Sequence, residues 1–396
     1  MALIQSWRWF GPNDPISLEQ VKQTGATGIV TALHDIPYGE VWPVDRIKER
    51  KNFIEKYGFK WVVIESVPVH EDIKTRTGDF NKYIENYKKT LKNISESGIE
   101  VVCYNFMPAI DWSRTRLTKK LPDGSFVSEL NINAIRAFEL FILGQKDNEK
   151  NYSDEQIKQA EKYFKSLSNS EIEELQKVVL LSLPGLSEPV SMEYLKKQIE
   201  KYKNISREQL KEHLKLFIKE IVPVAEEYGI RMAIHPDDPP IPVLGLPRIV
   251  GSIDDLIEIV SYYDSLANGI TLCTGSLGAG FNNDCTDIAS SLAKYIHFAH
   301  LRNVQVDKDG NFSETYLFEG RVNIPAIMKI LINEEERRKN EGRKDYQIPL
   351  RPDHGNLILG DIDKNYYPGY SLYGRLKNLA ELRGLEMGIR FGNNIL

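Results

Sequence analysis

Cysteine is scarce in this chain of 396 residues: Cys103, Cys273 and Cys285 are the full set. Three thiols make no disulfide framework, and none sits in a C-x-x-C pair, so a reducing, cytoplasmic setting is expected. Long hydrophobic runs are missing as well. Nothing approaches the ~18 consecutive apolar residues of a membrane span, and Met1–Phe10 is too short and too polar for a signal peptide. There is no basic surplus either. Lys and Arg number 51 against 56 Asp and Glu, a formal net charge of −5, which argues against nucleic acid as a partner because phosphate neutralisation needs a basic face. Finally, no G-x-G-x-x-G follows the first apolar segment. The residues there are Gly11-Pro12-Asn13-Asp14-Pro15, which removes the main support for an open dinucleotide-binding sheet.

What is present is ordinary globular usage, 41% hydrophobic and 27% charged, in a chain long enough to bury a large core without covalent staples. Short apolar runs at Ile4–Phe10, Thr27–Leu33, Trp61–Val67, Val101–Phe106, Arg231–His235, Ile270–Cys273, Ile296–Arg302 and Ile348–Asp353 read as strands. Amphipathic stretches near Ser17–Gln23, Pro43–Tyr57, Asp79–Ser97, Glu208–Tyr228, Ser252–Tyr263, Thr286–Lys294, Ile324–Asn333 and Ser371–Met387 read as the helices between and after them. Strand–helix alternation requires a parallel sheet, and eight units are the number at which such a sheet closes as a (β/α)₈ TIM barrel. The fold class expected is therefore α/β, one barrel domain over residues 1–396. Residues 111–205, rich in Lys and Glu and broken at Pro184-Gly185, are expected to be a large helical insertion after strand four, placed at the catalytic face as a lid or oligomer contact.

In a parallel barrel the active site lies at the C-terminal strand ends. The last four strands end in His235, Cys273, His300 and Asp353. Singly, each has a plain explanation: a hydrogen-bonded histidine, a small buried hydrophobe, a turn carboxylate. Together, at matching ends of neighbouring strands, they form a metal-ligand set that admits Fe²⁺, Zn²⁺, Co²⁺ or Mn²⁺. Other strand ends offer Arg8, His34, Asn105 and Arg302 for the oxygens of a hydroxylated acid. Glu65 and Arg351 serve equally as substrate contacts or as a buried ion pair. His297 has the opposite strand parity from His300 and should face away from the site. After strand eight, a tyrosine of Tyr366-Tyr367-Pro368-Gly369-Tyr370 could act as a general acid, since an unperturbed phenol stays protonated at neutral pH.

Several long strings resemble the D-mannonate dehydratase family of hexuronate degradation, within the xylose-isomerase-like barrels. They are Trp7-Arg8-Trp9-Phe10-Gly11-Pro12-Asn13-Asp14-Pro15, Gly25 to His34, His235-Pro236-Asp237-Asp238-Pro239-Pro240, Arg351-Pro352-Asp353-His354-Gly355, and Gly374-Arg375 to Gly388. The resemblance implies a lyase that removes water from D-mannonate to give 2-dehydro-3-deoxy-D-gluconate. It implies Mn²⁺ or Fe²⁺ on His235, Cys273, His300 and Asp353. With it, His354 is read as the base and Tyr370 as the acid, Asp353 counting among both ligands and catalytic groups, with Arg8 or Arg302, Asn105 and His34 on the substrate. The expected partners are a sugar acid and further copies of the chain in a homo-oligomer, with no nucleic acid and no membrane. A sugar isomerase on a similar barrel is the nearest rival, but such sites gather carboxylates around two metals where this chain has a cysteine. A barrel phosphodiesterase acting on DNA and a sugar-acid binding module without turnover are the others.

Overall fold

In the computed structural model, which describes residues 3–181 and 191–393, twelve strands form among the described residues. They are β1 (Ile4–Arg8), β2 (Gly28–Thr31), β3 (Lys60–Glu65), β4 (Val101–Tyr104), β5 (Arg116–Lys120), β6 (Phe126–Leu130), β7 (Arg231–Ile234), β8 (Asn268–Cys273), β9 (Ile296–Leu301), β10 (Asn303–Val306), β11 (Phe312–Thr315) and β12 (Pro349–Pro352). The eight expected from sequence are β1, β2, β3, β4, β7, β8, β9 and β12. All of their ladders are parallel, and pairing of Ile4 with Pro349 joins the last strand to the first, so the sheet is a closed barrel.

The helices form where local signals place them. Ser17 caps Leu18–Gln23 in a reciprocal box with Gln20, and Ser206 does the same with Gln209 for Arg207–Glu227. Their apolar faces pack on the outside of the barrel and make the main core. The barrel's inside is a small separate cluster of Val30, Val63, Val101, Cys103, Ala233 and Phe298. This apolar plug fills the barrel, so polar side chains one step further along the strands collect above it at the C-terminal mouth.

The insertion departs from the helical expectation. It opens with the hairpin β5–β6, and only from Ile132 onward do helices follow, at Ile132–Ala137, Asp154–Ser166, Asn169–Val179 and Met192–Tyr202. The break expected at Pro184-Gly185 lies outside the described residues. A second unexpected hairpin, β10–β11, leaves the end of β9. The two combine into one antiparallel sheet in the order β10-β11-β6-β5, with Phe312 opposite Leu130 and Ser313 opposite Glu129. Phe126 also bridges Leu357 in the loop after β12. This sheet ties the insertion to the loops after the last two barrel strands. The local signal for both hairpins is an Asp-Gly turn, Asp123-Gly124 and Asp309-Gly310, whose glycines take φ of 90° and 87°.

Candidate active site

Barrel register decides which strand-end side chains meet. Cys273 is paired with His300 and His300 with Arg351, so three neighbouring strands present these residues side by side. His235 follows β7, its backbone N–H bonded to the Tyr104 carbonyl, and Asp353 follows β12, its N–H bonded to the Leu301 carbonyl. His235 Nε2 lies 3.2 Å from His300 Nδ1. Cys273 Sγ lies 3.5 Å from Asp353 Oδ2, and His300 Nδ1 lies 3.7 Å from Asp353 Oδ1. One donor atom from each of His235, Cys273 and His300 falls within 4.8 Å of the others, and Asp353 touches two of these three.

The His235, Cys273 and His300 donors fit a metal ion, and Asp353 stands beside two of them. Donors about 2.0–2.3 Å from one ion stand about 2.8–3.8 Å apart, depending on tetrahedral or octahedral geometry. The separations of 3.2 and 3.5 Å lie in that range and 3.7 Å at its edge. The ring protons are also placed for ligation. His235 Nδ1 donates to the Pro236 carbonyl at 2.6 Å, which leaves Nε2 bare toward the cluster. His300 Nε2 is buried without a hydrogen bond and faces Glu65 Oε2 at 3.5 Å, so a proton held on that side exposes the Nδ1 lone pair. Asp353 is a carboxylate here: burial works to raise its pKa, but Arg302, His354 and Arg351 hold it well below the usual range.

A sequence profile of the D-mannonate dehydratase (UxuA) family matches residues 3–394. A mannonate dehydratase from Marinomonas sp. (strain MWYL1) is 49% identical over 386 residues, covering 97% of this chain and 98% of its own length. The chain belongs to the D-mannonate dehydratase family. A second mannonate dehydratase, from Chromohalobacter salexigens, is 46% identical with the same coverage. The crystal structure of mannonate dehydratase from Streptococcus suis serotype 2 superposes with a TM-score of 0.77 at 36% identity, over 99% of this chain and 95% of that one.

In this family member a cavity opens beside the donor cluster, lined among others by Arg8, Glu65, Asn105, Trp112, His235, Asp353, His354 and Tyr370. Arg8 and Asn105 are therefore placed where expected. His354 and Tyr370 share one wall, their rings 5.1 Å apart, and a parallel bridge between Gly355 and Tyr370 holds the loop in register. Burial pushes the Tyr370 phenol up to about 12, against the pull of Arg351, so it is protonated at neutral pH.

Two expected substrate contacts are corrected. His34 does not line this cavity; it lines a neighbouring cleft with Asp35, Arg46 and Arg50, its Nε2 3.2 Å from Arg8 Nη2. Arg8, which does line the cavity, is the side chain His34 meets. Arg302 is buried off the cavity, its guanidinium held by Asp238 at 2.7 Å, Glu314 at 3.1 Å and Asp353 at 3.2 Å. A cation surrounded by three carboxylates has no free face for a fourth. His297 points outward as expected, bonded to the Leu266 carbonyl at 2.6 Å. Arg351 and Glu65 form a two-pronged pair.

Three residues were not foreseen. Glu314 on β11 sits 2.7 Å from His354 Nδ1, and Arg114 of the insertion and Asp238 after β7 pair at 2.7 Å behind it. Asp238 could have been suspected from Asp237-Asp238 at a strand end. Glu314 and Arg114 carry no local motif, and only the hairpin turns hint that their segments fold over the mouth.

Proposed function

We propose that this chain dehydrates D-mannonate to 2-dehydro-3-deoxy-D-gluconate and water, as a lyase of hexuronate (glucuronate) catabolism. The observation that carries the reading is the gathering of His235, Cys273 and His300, with Asp353 beside the last two, next to a cavity that His235, Asp353, His354 and Tyr370 line. A divalent ion on those four residues, Mn²⁺ or Fe²⁺ given one carboxylate, one thiolate and two imidazoles, supplies a Lewis acid for the negative charge that grows as C2 loses its proton.

The protein's own residues do the rest. The C2 proton is only weakly acidic, so a base must stand over it; His354, with Nδ1 occupied by Glu314, has Nε2 for that task. Departure of the C3 hydroxyl needs a proton, and Tyr370 carries one throughout the neutral range. The proton taken from C2 ends on His354, the one Tyr370 gives to the hydroxyl leaves as water, the enol product becomes the 2-keto acid, and transfer of the His354 proton through solvent to the Tyr370 phenolate restores both groups. Arg8 and Asn105 line the cavity, which supports Arg8 holding the substrate carboxylate and Asn105 a hydroxyl. Among the described residues no helix is long and apolar enough to cross a membrane. A cytoplasmic, homo-oligomeric enzyme completes the proposal, the assembly to be read by sedimentation.

The test is direct. Purified protein incubated with D-mannonate and Mn²⁺ or Fe²⁺ should release the 2-keto-3-deoxy acid; no product with either ion overturns the assignment.

A further inference from the structure

Behind His354 lies a closed ring of charge. Arg302 donates to Asp238 Oδ2 at 2.7 Å and to Glu314 Oε1 at 3.1 Å. Arg114 donates to Asp238 Oδ1 at 2.7 Å and to the same Glu314 Oε1 at 3.2 Å. All four side chains are buried, and the two cations balance the two anions. They come from four places in the chain: the end of β9, the loop after β7, β11, and the start of the insertion.

Glu314 Oε1 also meets His354 Nδ1 at 2.7 Å, while Arg302 Nη1 lies 3.1 Å from that nitrogen. A carboxylate only accepts and a guanidinium only donates, so the two neighbours ask for opposite tautomers. The shorter contact is the carboxylate's, and Arg302 Nη1 already has Glu314 to donate to. The proton therefore belongs on Nδ1 and the lone pair on Nε2. We propose that Glu314 is the positioning residue that fixes His354 in this tautomer, and that Arg114 makes the insertion part of the active site by holding Glu314 in place. This rests on the reading of His354 as the base. A carboxylate buried here without its two arginines would be costly, which gives the ring its reason.

The experiment is a double-mutant cycle at saturating Mn²⁺ with D-mannonate. Glu314→Ala should lower kcat at least ~30-fold, with KM within ~3-fold and metal content unchanged. In a His354→Asn background the same change should lower kcat less than ~3-fold further, because a residue acting through another adds nothing once that other is gone. Equal losses in both backgrounds, a normal kcat, or an effect confined to KM overturns the proposal. Near-normal turnover of His354→Asn alone overturns the base assignment, and the proposal with it. The wild-type protein gives an answer that needs no Glu314 variant to fold. With ¹⁵N-labelled histidine, the His354 signals, identified by their loss in His354→Asn, should show hydrogen on Nδ1; hydrogen on Nε2 overturns the proposal whatever the kinetics.

Discussion

Arg351 grips Glu65 with two parallel hydrogen bonds, Nη2 to Oε1 at 2.8 Å and Nε to Oε2 at 3.2 Å, and reaches Asp353 Oδ1 with Nη1 at 2.9 Å. One guanidinium thus compensates two carboxylates at the floor of the site. Burial alone would raise the Glu65 pKa, but Arg351, His300 and Arg8 hold it well below the usual range. Arg351→Met should leave Glu65 without its main counter-charge and Asp353 with one fewer, and cost about 3–5 kcal/mol. Calorimetry at pH 7 checks this. Arg351→Lys should recover only part of the loss, since an ammonium cannot fork onto a carboxylate.

Cys273 is the soft member of the donor set, and its thiol sits 3.1 Å from Ser276 Oγ as well as near Asp353. Cys273→Ser should weaken retention of Mn²⁺ or Fe²⁺ at least ~10-fold during dialysis against a chelator, with the fold unchanged by circular dichroism. Undiminished retention would remove the thiolate from the site.

His354→Asn and Tyr370→Phe should each slow turnover at least ~10²-fold and leave metal content intact. Turnover near the wild-type rate removes that residue from the chemistry; loss of metal instead assigns it to the ligand cluster.

Far from the site, Glu335 makes a pH-dependent contribution to stability. Burial raises its pKa to about 7, although the Ile348 N–H and Arg390 pull the other way. A carboxyl that holds its proton more tightly when folded contributes stability below the unfolded carboxylate range, and that stability is lost as pH rises toward about 7. Thermal stability should therefore decline between pH 5 and 7 by a contribution of roughly 3 kcal/mol, and Glu335→Gln should flatten that segment of the curve. An unchanged slope in the variant would assign the decline to other groups.

Gly275 follows Cys273 by two residues, and a Cβ built there would land on Arg302 Nε. Gly275→Ala must push Arg302 out of the ring of carboxylates. Its expected cost is at least ~3 kcal/mol, comparable to breaking a buried ion pair, and unfolding by heat or denaturant measures it. A neutral alanine would mean that the ring can shift as a unit.

Legibility varied with the range of the interaction. The eight barrel strands and the outward parity of His297 could be read from the chain because each depends on near neighbours: an apolar run, an odd step along a strand. The position of His235, Cys273, His300 and Asp353 at or just after strand ends was readable for a related reason. Once the barrel is closed, the end of every strand has a known address. Arg302 misled because strand parity says which way a side chain leaves the backbone but not which charges await it.

The amino-acid order by itself determined the closed barrel and which side chains stand at its strand ends, since periodicity and strand count are local properties. Only the tertiary structure decided that two hairpins from distant loops join into one sheet, that Glu314 and Arg114 come to lie behind His354, and that His34 faces a different cleft. Those outcomes depend on pairing between segments nearly two hundred residues apart, such as Phe312 opposite Leu130. Pairing at that range is selected by the free energy of the whole assembled mouth, and no short stretch of chain carries it.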